Sequence, residues 1–169
     1  MWITSTYLGK PDANARAFVY FFWEDYAEYR SAPRRLVDYM RRCGNLFGDE
    51  VSLFAPHEED TDRISSEINK GSRLSDEVAR NAPCLLLTRK PFGEFDITTD
   101  PHMFFGIPGD SATDEEYHHF FAELHQHIVA ARKAGSETDS EFLKRVWRAL
   151  ELSPNFMGLG INLKKLVEK

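Results

Sequence analysis

Residues 81–96 read NAPCLLLTRKPFGEFD, and the fold turns on how this stretch is parsed. The run CLLLT, residues 84–88, is apolar without alternation. Such a run fits a strand covered on both faces, as at the centre of a sheet with helices on each side. The RKPFG that follows is a turn: Pro91 presets φ and Gly93 supplies conformational freedom. EFDIT, residues 94–98, alternates apolar and polar. It predicts an antiparallel partner with one wet face, closing a hairpin on CLLLT.

Upstream, residues 1–15 form a mixed lead-in with a short edge strand within WITSTYL. RAFVYFFWE, residues 16–24, is again continuous, aromatic and β-branched, so it predicts a second strand buried on both sides. A helix follows the polar EDYAEYRS. Ser31 caps it, Pro33 sits in its first turn and Gly44 closes it. Leu36, Val37, Met40 and Cys43 form its apolar stripe, which makes Cys43 a packing residue. VSLFAP is a third strand, stopped by Pro56. Residues 63–81 are helical but interrupted at Gly71, with Ile64, Ile68, Leu74 and Val78 facing inward and Asn81 at the end.

Downstream, the Pro- and Gly-bearing residues 99–110 read as a loop that carries Met103, Phe104 and Phe105. Ser111 or Thr113 caps a long helix lined by Tyr117, Phe121, Leu124, Ile128 and Ala131. SETDSEF begins a further helix, with Phe142, Leu143, Val146, Trp147 and Leu150 on its apolar side. The tail FMGLGINLKKLVEK is apolar on both sides and should dock on the body, because exposed it would be a sticky patch.

A chain of 169 residues fits one domain, residues 1–169. Its 42% apolar and 28% charged residues are those of an ordinary globular protein able to bury a core. The formal net charge of -6 disfavours nucleic acid, which would need a concentrated basic patch. Arg34, Arg35, Arg41 and Arg42 are the nearest such cluster and read as a solvated helix face. With two cysteines, Cys43 and Cys84, and no CxxC, neither a zinc knuckle nor a disulfide framework can be written. The N-terminus lacks the basic start and apolar core of a signal peptide, and the longest apolar run, AFVYFFW, is far short of the ~20 residues that span a bilayer. The expected location is the cytoplasm, with reduced thiols and no membrane partner.

The order of strand, helix, strand, helix, hairpin and helix resembles the thioredoxin-like fold. FVYFFWEDY resembles that family's first core strand and active-site loop, SAPRRLVDYM the helix after it, and NAPCLLLTRKPFGEFD its cis-proline loop, third strand, turn and fourth strand. The resemblance covers about residues 15–133, with residues 134–169 as a C-terminal helical extension. It implies an α/β fold of three layers, α/β/α, around a mixed sheet, with an extra helix and docked tail. Another three-layer α/β fold with a short, mostly parallel sheet is the alternative. The resemblance also implies a cis Ala82–Pro83 bond, which turns a backbone shelf toward the active-site loop. The other reading is a trans proline that ends one helix before a strand.

The departure from the family bears on function. Where the family has CxxC, this chain has EDYAEYRSAP. Thiol–disulfide exchange needs an attacking thiolate and a resolving thiol, and Tyr26, Glu28 and Tyr29 supply neither. The reading is therefore a protein- or peptide-binding or regulatory module with no cofactor. Its site is Trp23, Asp25, Tyr26, Tyr29 and Arg30 together with Ala82 and Pro83. The tail or the Met103–Phe104–Phe105 loop would help it self-associate.

The alternative is an enzyme built on one thiol, Cys84, or on the histidine-rich helix. Glu115, His119, Glu123 and His127 recur every four residues and form one ridge. A closed metal site needs ligands from a second element, and the sequence names none. Neither GLG nor FGIPG has the flanking pattern of a phosphate cradle, and no GxSxG is present.

Overall fold

The computed structural model describes residues 3–4, 13–22, 37–42, 50–55, 72–81, 84–108, 112–133, 138–151 and 161–164. The protein is an α/β structure built on one mixed sheet of six strands in the order β1-β3-β2-β4-β5-β6. The strands are β1 (Ile3–Thr4), β2 (Ala17–Phe22), β3 (Val51–Phe54), β4 (Cys84–Thr88), β5 (His102–Gly106) and β6 (Ile161–Lys164). Strands β1, β3 and β2 run parallel, whereas β4, β5 and β6 each pair antiparallel with the strand before them in the order. The described helices are α1 (residues 37–42), α2 (Ser72–Asn81), α3 (Asp114–Lys133) and α4 (Asp139–Glu151).

The two continuous apolar runs occupy the middle of the sheet, and the pleat explains their composition. Successive side chains in a strand point to opposite faces. Ala17, Val19 and Phe21 of β2 and Leu85 and Leu87 of β4 enter one core. Phe18, Tyr20 and Phe22 of β2 and Cys84 and Leu86 of β4 enter the other. A strand with a core on both sides has no solvent face, so a polar group in it needs a protein partner, as the Thr88 hydroxyl has in the Lys90 carbonyl at 2.7 Å.

The first core is covered by α1 through Val37 and Met40, by α3 through Tyr117, Phe120, Phe121 and Leu124, and by α4 through Phe142, Leu143, Val146 and Leu150. The second is covered by Leu74 and Val78 of α2 and by Phe92, Phe95 and Ile97 of the β4–β5 connection. Ile64, Ile68, Cys43, Ser31 and Pro33 lie outside the described residues. Both long helices start as their sequences predict. Thr113 and Glu116 exchange backbone-to-side-chain hydrogen bonds in a capping box, and Thr138 and Glu141 do the same ahead of α4. Hydrogen bonds from the Thr113 N–H and then its hydroxyl hold the Glu116 carboxyl below the usual carboxylate range.

The partner of β4 differs from the sequence expectation. It is not residues 94–98 but His102–Gly106, in the segment read as a loop. Met103, Phe104 and Phe105 are fully buried rather than displayed for self-association. Two physical reasons account for this. First, EFDIT would place Glu94, Asp96 and Thr98 on a face that is buried at both neighbours, whereas Met103 and Phe105 fill the first core and Phe104 the second. Second, the backbone groups near Asp96 are used locally. The Asp96 carboxylate accepts from the Thr98 N–H and hydroxyl, both at 2.7 Å, and its carbonyl accepts from the amides of Thr99 and Asp100. Such an Asx turn competes with a ladder. The alternation of Phe95 and Ile97 is real, but it lays a loop over one sheet face. Pro101 and Gly106 bound β5 and do not mark it as loop.

The tail docks as a strand: β6 pairs with β5 through Met103↔Leu163 and Phe105↔Ile161. Arg89, just past β4, ties α4 to the sheet. Its Nε lies 3.4 Å from an Asp139 carboxylate oxygen, and its guanidinium sits 4.5 Å from the centre of the Phe142 ring.

Two substitutions separate the observed strand from the expected one. Phe105→Ala should cost about 3–5 kcal/mol in urea unfolding, as for a large core residue, and Phe95→Ala, half-buried on the connection, markedly less. The opposite order would restore residues 94–98 as the strand. Arg89→Ala should cost about 1 kcal/mol, the sum of a partly exposed ion pair and a cation–π contact, read in the same unfolding curve.

Candidate functional site

The pairing of β2 with β4 fixes one end of the sheet. The register ends at Phe22↔Cys84, and on its other side Cys84 pairs with Gly106 of β5. Parallel strands β2 and β3 both deliver their carboxyl ends here, with Tyr20 opposite Phe54. Open α/β sheets place ligands outside the carboxyl ends of their strands. The chain leaves β2 after Phe22 toward residues 23–30 and enters β4 at Cys84 from residues 82–83. The two segments named from the sequence thus attach at partnered positions, where paired Cα atoms lie about 5 Å apart. Trp23, Asp25, Tyr26, Tyr29, Arg30, Ala82 and Pro83 themselves lie outside the described residues.

Cys84 is described, and its surroundings decide its chemistry. The residue is 0% exposed, at the junction of β2 and β5 and within the second core. Burial pushes its thiol from the ordinary 9.0 up to about 12. Thiolate, not thiol, is the nucleophile. At neutral pH this sulfur is a small apolar filler.

The histidine ridge runs from exposed Glu115 and His119 to half-buried Glu123 and His127. Nε2 of His119 lies 3.7 Å from Glu115, with both side chains more than half exposed. His125, on the same helix, is held below the ordinary imidazole range by partial burial. Among the described residues no group of three His, Cys, Asp or Glu side chains is placed to hold a metal ion. In the Arg34, Arg35, Arg41 and Arg42 cluster, Arg41 and Arg42 are exposed, Arg41 meeting Asp38 at 3.6 Å and Arg42 lying over the Tyr39 ring, while Arg34 and Arg35 lie outside the described residues. Among the described residues no helix is long and apolar enough to cross a membrane.

A polar cluster that the sequence reading missed lies under the β4–β5 connection. The ammonium of Lys90 donates to the Asp100 carboxylate, which raises the Lys90 group above its ordinary value. The other Asp100 oxygen accepts from the Asp96 N–H at 2.9 Å. Nδ1 of the buried His102 is 2.9 Å from the Asp100 carbonyl, which can only accept, so Nδ1 carries the proton. The Phe95 and Phe104 rings meet the imidazole edge-on. The Phe92 N–H donates to the Tyr20 hydroxyl at 2.7 Å, and the Tyr20 ring stacks on Phe54. Burial raises the Tyr20 hydroxyl well above the ordinary phenol range, against the opposing effect of that amide. These bonds lock the connection onto the sheet. The available signal was Asp96-Ile-Thr98, an Asx-turn sequence hidden by the alternation of Phe95 and Ile97.

Set beside known proteins, the chain matches no family model, no curated protein and no solved structure.

In a Cys43→Ser background, Cys84 should resist maleimide at pH 8 in the folded protein and react on unfolding, its thiolate population being roughly a thousandfold below that of an ordinary thiol. The folded-state value is raised, so the stabilisation is complete below the unfolded value near 9 and is lost as pH rises toward 12. Cys84→Ala should therefore flatten the fall of stability with pH above 9, measured by urea unfolding. Rapid labelling of the folded protein would contradict the buried assignment.

Proposed function

We propose that this protein is a non-redox, thioredoxin-like binding module that grips a protein or peptide through Trp23, Asp25, Tyr26, Tyr29 and Arg30, with the backbone of Ala82 and Pro83 as a shelf beside them. In this reading the fold is three-layered, α/β/α, and the module works in the cytoplasm. The observation that carries the proposal is the Phe22↔Cys84 pair, because it tethers both segments to neighbouring positions at one sheet end.

Three further features support it. Along the described chain, β2, α1, β3, α2, β4, β5 and α3 follow the order on which the resemblance rests. Apolar side chains from helices cover both faces of the sheet. EDYAEYRSAP contains no cysteine, and the nearby Cys84 is buried with a raised thiol, which supports a non-redox reading. Aromatic side chains interleaved with Asp25, Glu28 and Arg30 are instead suited to contact: they offer apolar area with few rotatable bonds and charges for orientation.

The thiol-enzyme alternative loses its nucleophile to burial. The histidine-helix alternative gains no ligand from a second element among the described residues.

The test is affinity capture from the native cell with the wild-type chain and a Tyr26→Ala, Tyr29→Ala double variant side by side. The proposal expects the variant to retain the wild-type unfolding midpoint and lose the captured partner, at least tenfold by quantitative mass spectrometry. Equal capture by both chains would reject this surface, as would undiminished capture after Ala82 and Pro83 are replaced by a pair of glycines.

A further inference from the structure

We draw no further inference here: the strongest candidate, the outer edge of strand β6, which pairs only with β5 among the described residues, carries nothing because nothing in the structure shows what covers it.

Discussion

The antiparallel pairing of β2 with β4 is the constraint from which the other features follow. Each strand has hydrogen-bonded neighbours on both edges and a core on both faces. Eleven strand positions, six in β2 and five in β4, are therefore closed to water. Burying a Val, Leu or Phe side chain contributes on the order of 1.5–3 kcal/mol, but only if the other side of each core is filled. The helices and the folded-back connection meet that demand. Val37, Met40, Tyr117, Phe121 and Leu143 close one side, and Leu74, Val78 and Phe92 close the other.

Continuous burial also explains which parts of the sequence were readable. AFVYFF and CLLLT could be recognised as strands because a nearly continuous apolar run has few other places to go, and VSLF by its short apolar run stopped at Pro56. Ser111 or Thr113 and the stretch SETDSEF could be read as helix starts; in the structure Thr113 with Glu116 and Thr138 with Glu141 form the caps, because a side-chain oxygen three residues ahead of a carboxylate satisfies the free amides locally. The hairpin partner failed on the same principle applied the wrong way. EFDIT alternates, and alternation predicts a half-exposed strand, but the position beside β4 has no exposed half. HMFFG fits that position, yet Pro101 and Gly106 at its ends made it look like loop. The competing arrangement was set by Asp96 and Asp100, whose hydrogen bonds are local and whose partners Thr98 and Lys90 were not evident from periodicity. The tail was expected to dock, but its strand pairing with β5 could not be read until β5 itself was located.

For the candidate site, the sequence named the segments and the structure shows where they attach. Residues 23–30 and 82–83 are far apart along the chain, and no local pattern links them. What links them is the register of β2 against β4, which ends at Phe22 and Cys84. The chemistry of the described groups points the same way as the missing CxxC. Cys84 is a core residue, Lys90, Asp100 and His102 hold the connection, and Glu115 and His119 of α3 lie side by side on an exposed part of that helix. The polar atoms of these clusters serve the fold.

The central claim is that β2 and β4 meet antiparallel with Phe22 opposite Cys84, and that β4 then pairs with residues 102–106. Cross-strand nuclear Overhauser contacts in isotope-labelled protein test it most directly. The account predicts backbone contacts joining Tyr20 to Leu86, Phe22 to Cys84 and Leu86 to Phe104. A network that joined Leu85, Leu86 and Leu87 to Phe95, Asp96 and Ile97, or that placed Phe22 away from Cys84, would contradict it.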